Sequence, residues 1–326
     1  MEAAAAPQAP RRMMRGIGLK ILSTFVFTLM SAGIKYVGET FPTGQVVFCR
    51  SLFAIVPVYI WLALVHDLSA ATRTRNFTSH MRRGVIGSTG MFCGFAATTM
   101  LPLSDATAIS YAAPLITVVL AAWLLKETVR IYRWSAVMVG FAGVLVMLSP
   151  YLADGLFSRG LGGTEARGML LGVMGAICSA FATIEVRRLT GSEHPAAIVF
   201  YFMLQTTLLG LATGIAGGFV PALGWVMPTF WQGALLVSIG LLGGIGQITM
   251  TLSFRHADAS IIASFDYLSM IWAVGLGWLV FSELPQWAVI VGAAIVISSG
   301  IFVIWRERRL GIRRDKQRSV APSRVI

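Results

Sequence analysis

Residues 87–106, GSTGMFCGFAATTMLPLSDA, and residues 240–259, GLLGGIGQITMTLSFRHADA, decide the fold when one is laid over the other. Gly87 and Gly90 fall on Gly240 and Gly243, Thr98 on Thr251, and Asp105-Ala106 on Asp258-Ala259, all at an offset of 153. Working outward, Trp134 falls on Trp287 at the same offset, while Gly16, Lys35 and Val47-Phe48 fall on Gly168, Arg187 and Val199-Phe200 at 152. Self-similarity at a near-constant offset marks a repeated structural unit. The chain is therefore two related halves.

What each half contains follows from composition. Of the 326 residues, 56% are hydrophobic and 12% are charged, with a mean hydropathy of +0.76. A soluble domain carries about 25% charged residues, so this chain lacks the polar surface to cover a globule of its size and is solvated mostly by lipid. Apolar runs near 17–37, 43–65, 84–102, 105–125, 132–150, 167–187, 195–217, 231–254, 258–281 and 287–305 each approach the roughly 20 residues needed to cross a bilayer. The first run has no convincing cleavage site behind it and reads as a retained helix, not a signal peptide. The expected fold is an all-α integral membrane protein of ten transmembrane helices.

Five spans per half is an odd number, so the second half enters the membrane from the opposite side. Inverted repeats of this kind belong to secondary transporters, whose site lies near the midplane between the halves. The expected organisation is a tail at 1–15, a first repeat at 16–150, a Gly-rich linker at 151–166, a second repeat at 167–306 and a basic tail at 307–326.

The charge distribution sets the expected orientation. The chain carries 26 Lys+Arg against 14 Asp+Glu. With the N-terminus in the cytoplasm, 22 of the 26 fall in cytoplasmic segments, including Lys20, Arg82 and Arg83. Arg159 and Arg167 lie opposite, and Lys35 and Arg50 lie inside spans. Lys/Arg bias in short loops orients membrane helices, so both termini are expected in the cytoplasm. The net charge of +12 is then a topology signal and a contact for anionic headgroups. Nucleic acid is not an expected partner, because no basic segment is interleaved with aromatics. Cys49, Cys93 and Cys178 lie far apart in sequence inside apolar runs, which argues against a disulfide framework or metal site.

Several motifs carry a family resemblance. Leu101-Pro102-Leu103-Ser104-Asp105-Ala106-Thr107-Ala108, Ala113-Pro114, Glu127 and Arg133-Trp134 with Gly140 and Gly143 resemble the fourth and fifth helices of the EamA type of the drug/metabolite transporter superfamily. Tyr267-Leu268-Ser269, Glu283, Trp287 and Gly292 echo them in the second half. The resemblance spans roughly residues 16 to 305. It implies two EamA repeats, a bacterial inner membrane and transport of a small organic metabolite. Met270 stands where many second repeats have proline, leaving a kink in the ninth span open. Arg83-Gly84 and the Leu-Pro-Leu-x-Asp-Ala-Thr run are similar to S-adenosylmethionine uptake carriers and RibN-type riboflavin carriers, and fit amino-acid and metabolite exporters as well.

Charge inside hydrocarbon costs about 2.5–3.5 kcal/mol on insertion scales and marks functional sites. Asp266 lies eight residues past Asp258, about 12 Å along a helix rising 1.5 Å per residue, which places it near mid-depth. Two readings stand for it: a proton, cation or cationic-substrate site, or an ion pair with Arg50 or another helix's donor that fixes packing. Arg50 either meets substrate or ties helices together, and its repeat counterpart Phe202 shows that the architecture does not require the charge.

Thr24, Thr28, Ser31 and Lys35 share one face of span 1 by helical spacing, expected to look inward. Thr107, Tyr111 and Pro114 form a stripe on span 4, matched at offset 153 by Ser260, Ser264 and Tyr267 on span 9, and Gln247 and Thr251 correspond to Gly94 and Thr98. If these faces converge, spans 1, 3, 4, 6, 8 and 9 line a cavity. Phe92, Tyr111 and Tyr267 are candidates to stack on a planar ligand, and Pro114 frees a backbone carbonyl. The candidate substrate residues are therefore Thr28, Arg50, Phe92, Tyr111, Pro114, Gln247, Asp266 and Tyr267. For the hydroxyls, helix-to-helix hydrogen bonding is the competing role; for the rings it is core filling. Glu127 and Glu283 read as structural or gating residues.

None of the four lysines follows a glycine, so there is no P-loop for ATP. No hydrolase or zinc motif occurs, no cofactor is implied and an enzyme is not expected. The leading reading is a secondary active transporter with a small-molecule substrate. An intramembrane enzyme acting on a lipid or isoprenoid, and a channel, are the alternatives. A proton as coupling ion and a homodimer are compatible with this reading.

Overall fold

The computed structural model describes residues 8–64, 74, 76–126, 129–152, 163–189, 192–256 and 263–320, and among these every regular element is helical. Helices satisfy their own backbone groups, which lipid requires of any lone segment crossing it. The elements are α1 (Gln8–Gly38), α2 (Thr43–Leu64), α3 (Phe77–Met100), α4 (Leu103–Ser110), α5 (Ala112–Leu124), α6 (Ile131–Pro150), α7 (Thr164–Leu189), α8 (Pro195–Gly217), α9 (Phe230–His256), α10 (Leu268–Phe281) and α11 (Trp287–Val320). Short 3-10 turns lie at Pro221–Leu223 and Ala263–Tyr267.

Eight membrane-length apolar helices are present, with α4 and α5 counted as one span. With the less apolar α3 and the short α10, ten α-helical elements are present among the described residues on the same count. Glu127, Asp258 and Ser260, and most of the expected linker, fall outside the described residues.

Two spans are broken at the same step. Span 4 divides into α4 and α5 at Tyr111, because Pro114 has no N–H for the Ser110 carbonyl and its ring crowds that turn. Span 9 is not the continuous helix expected over 258–281: it runs as a 3-10 turn to Tyr267 and becomes α-helical at Leu268. No proline is present here. Instead the Ser269 hydroxyl donates to the Asp266 carbonyl at 2.6 Å, supplying a side-chain partner where the ladder changes pitch.

Both broken spans end near a left-handed residue, Lys126 at φ 53° and Ser282 at φ 55°. Breaks and left-handed residues alike repeat at an offset of 156. The partner of Tyr111 is therefore Tyr267, where a fixed offset of 153 selected Ser264.

Helix contacts cross between the halves in symmetric pairs. α3 packs along α7 as α1 packs along α9, α2 meets both α8 and α9, and α6 lies along α11. Glycines permit the close crossings. A Cβ on Gly175 would sit 3.1 Å from the Gly94 nitrogen, and one on Gly244 would sit 2.7 Å from the Ala54 carbonyl oxygen. The largest apolar core gathers Ile109, Tyr111, Val144, Met147, Met169 and Val296.

Two basic residues counted with the cytoplasmic segments are covered by their neighbours in the bundle. Lys20 is only 1% exposed, and Arg83 lies with its guanidinium carbon 3.8 Å from the centroid of the Phe202 ring. Lys20 lies on the fourth turn of α1, and Arg83, half-buried, on the second turn of α3.

Candidate functional site

A cavity of about 150 Å³ lies where α2, α3, α7, α8 and α9 meet, lined by Arg50, Arg83, Val199, Phe202, Met203 and Gln247 among others. It adjoins a wider groove of about 540 Å³ that shares Arg83, Val186 and Phe202 and adds Met91, Phe95, Ser179 and Met250. Both halves contribute walls. Spans 2, 3, 6, 7 and 8 line these spaces, in place of the expected set of spans 1, 3, 4, 6, 8 and 9.

Repeat symmetry explains the placement. Arg50 and Phe202 occupy equivalent positions on α2 and α8, and these two helices pack together, so the charge of one half and the ring of the other face one cavity. Arg50 is 7% exposed and its Nε has no hydrogen-bond partner. Space for it comes from Gly243, where a Cβ would lie 3.1 Å from that Nε.

Arg83 lies flat between Phe202 and its own helix. A Cβ on Gly87 would fall 2.2 Å from Arg83 Nη1, and neither Nε nor Nη1 has a partner. Among the described residues, no carboxylate pairs with either arginine. The cavity therefore carries two fixed cations against an apolar wall, with the Gln247 side chain beside them.

Of the eight sequence candidates, Arg50 and Gln247 come together here. The rest do not line this cavity. Thr28 is buried and its hydroxyl donates to the Thr24 carbonyl at 2.8 Å, as Thr24 and Ser31 also bond within α1. Tyr111 and Tyr267 touch edge to face with ring centroids 5.5 Å apart, and the Tyr111 hydroxyl shares a 2.7 Å hydrogen bond with Ser269. Phe92 is half-buried on α3 and Pro114 is exposed on α5.

Asp266 does not pair with Arg50. It pairs at 2.5 Å with Lys20, and its side chain is 53% exposed. Its segment is a 3-10 turn packed against α1, where a continuous helix was expected. Arg83, Phe202 and Lys20 escaped the sequence reading. The usable signal for Arg83 was its single turn's spacing from Gly87, which leaves a flat seat on the helix.

Charged contacts tie down each end of the bundle. At one end Lys35 Nζ pairs with Glu283 at 2.9 Å and donates to the Leu101 carbonyl at 2.6 Å. The second Glu283 oxygen accepts from the Leu103 amide at 3.2 Å, at the positive N-terminal end of α4. Nearby, Asp105 is fully buried and accepts from Ser104 at 2.8 Å and from the Tyr151 hydroxyl. At the opposite end, where α3 begins, Glu185 binds Arg82 at 3.0 Å and Arg188 at 2.8 Å, and Glu193 accepts from the Asn76 amide at 2.8 Å.

Eight membrane-length apolar helices and two further helical elements in two related halves, with a charged cavity between them, define a multi-pass membrane transporter. The chain belongs to the EamA-like transporter family, whose sequence profile matches residues 14–149 and 166–306. It is 28% identical over 282 residues to a pseudopaline exporter of Pseudomonas aeruginosa, covering 86% of this chain and 93% of that one. It is 26% identical to an S-adenosylmethionine uptake transporter of Rickettsia prowazekii, over 92% and 96% of the two chains. A riboflavin transporter of Rhizobium johnstonii is 30% identical, over 92% and 94%. A crystal structure at 20% identity superposes with a TM-score of 0.61 over 92% of this chain and 98% of the other, which supports the fold. These relatives are carriers of small molecules, so the protein transports a small metabolite and is not an enzyme.

Proposed function

We propose that the protein is a secondary active transporter of a bacterial inner membrane, with both termini cytoplasmic, and that substrate binds in the cavity between Arg50, Arg83 and Gln247. The observation that carries this reading is the cavity's walls: residues of both inverted halves meet there, where rocking of one half against the other exposes a site alternately. In this reading the Lys35–Glu283 contact holds the outer end shut while the groove beside Arg83 belongs to the cytoplasmic half.

Counterflow in proteoliposomes tests it. Vesicles preloaded with unlabelled riboflavin, S-adenosylmethionine or a mixed metabolite pool should accumulate external label transiently and saturably, and Arg50→Gln should abolish the exchange. Linear, non-saturable flux of every solute would instead mean a channel.

A further inference from the structure

We propose that the cavity recognises the acidic group of an organic anion, with Arg50 and Arg83 as its counter-charges; this deepens the reading of the cavity as the substrate site and rests on it. The buried lysines show what the bundle does with a cation it keeps for structure: Lys20 faces Asp266 and Lys35 faces Glu283. Arg50, equally buried, faces no carboxylate among the described residues, and its Nε is unsatisfied. An isolated buried charge is costly unless something pairs with it. Here the free space lies directly against it.

Arg83 repeats the pattern from another helix. Phe202 covers one face of its guanidinium, a contact that supports the charge without using its N–H groups, so the Nε and Nη1 donors stay unpaired. Planar guanidinium edges match carboxylate and phosphate oxygens in pairs. Two such edges and the Gln247 amide around one space of about 150 Å³ suit an acidic head.

The remainder of the ligand is set by the adjoining groove. Its volume of about 540 Å³ and its Met91, Phe95, Phe202 and Met250 lining fit a larger, weakly polar body. The ligand class is thus a carboxylate- or phosphate-bearing organic molecule with an apolar or aromatic body. A soluble metabolite and the headgroup of an anionic lipid share that chemistry.

The test uses the full chain in phosphatidylcholine nanodiscs with 2-naphthoate and its neutral isostere 2-naphthamide, read by the thermal unfolding midpoint, since ligands of the folded state raise it. Naphthoate should raise the midpoint saturably, with the amide at least tenfold weaker. Arg50→Gln and Arg83→Gln should each weaken naphthoate about tenfold or more, as expected for loss of a charged hydrogen bond, and leave the amide unchanged. Arg50→Lys keeps a charge at the site and separates loss of binding from loss of folding. Equal effects of the two probes, no effect of either, or naphthoate binding untouched by both Arg→Gln changes would overturn the proposal.

Replacing part of the lipid with phosphatidylglycerol assigns the source. Arginine-dependent stabilisation by that lipid, at the expense of the naphthoate response, marks a headgroup site and still supports the anion chemistry. Counterflow separates this inference from the transport reading. Saturable exchange of a neutral solute that survives both Arg→Gln changes overturns the anion site alone. Arginine-dependent naphthoate binding without saturable exchange of any solute overturns the carrier and keeps the site.

Discussion

Lys35→Met should open the bundle at the end that Lys35 closes. Its side chain is 9% exposed, Glu283's is 27% exposed, and they meet at 2.9 Å. The same ammonium donates to the Leu101 carbonyl and the same carboxylate accepts from the Leu103 amide, so one contact joins α1, the turn before α4 and the turn after α10. Removing one partner of a buried pair costs about 3–5 kcal/mol; the partial exposure of Glu283 lowers this to roughly 2–3 kcal/mol.

If the contact exists only in the state closed at this end, that energy moves the closed-to-open equilibrium by roughly 30- to 140-fold, at 1.4 kcal/mol per factor of ten. A cysteine at Ala32, 5% exposed and packed against Leu103 and Ala273, reports the change in a background with Cys49, Cys93 and Cys178 replaced by serine. Its alkylation by an impermeant maleimide should accelerate by about that factor in Lys35→Met. Adding Glu283→Gln should accelerate it no further, because the pair is already broken. A rate within threefold of the parent, in protein that remains monodisperse, would refute a gating role for the contact.

Three further outcomes follow from the packing. Gly87→Leu should displace the Arg83 guanidinium, since a Cβ alone already meets Nη1 and the Phe202 ring at 2.2 and 2.9 Å. Naphthoate affinity should fall about tenfold while helix propensity favours the change by up to about 1 kcal/mol, which titration against the thermal midpoint separates. Asp266→Asn should lower the yield of monodisperse protein by leaving Lys20 buried without its carboxylate, a loss of up to about 3 kcal/mol. Yield on size-exclusion chromatography should recover in the Lys20→Met/Asp266→Asn double variant, and no recovery would show that Asp266 acts on something other than Lys20. Gly292→Val should lower the thermal midpoint, because a Cβ there sits 2.4 Å from the Gly143 carbonyl oxygen and overpacking costs about 1–3 kcal/mol or more; an unchanged midpoint would mean that α6 and α11 separate freely.

The candidate residues divide by the kind of information that finds them. Arg50 and Gln247 stood out because a charge or amide in the middle of an apolar run is visible in one helix's sequence. Tyr111 and Tyr267 lie on polar stripes of the two halves, yet their rings meet one another and the Tyr111 hydroxyl is shared with Ser269. A polar stripe does not distinguish a wall from a seam. Thr28 illustrates the same limit: its face turns inward, and its hydroxyl is satisfied within α1.

The sequence by itself determined the helical, largely apolar elements and their duplication. Each of these rests on local composition or on counting, because a lipid solvent leaves a lone segment no structure except a helix. Only the tertiary structure decided which charges meet. Lys20 and Arg83 look like headgroup-level cations in their own segments. One finds Asp266 from a span more than two hundred residues away, and the other finds Phe202 and an unpaired arginine across a cavity. The burial of a side chain near a helix end depends on how far neighbouring helices extend past it, and that register is set by packing between the halves.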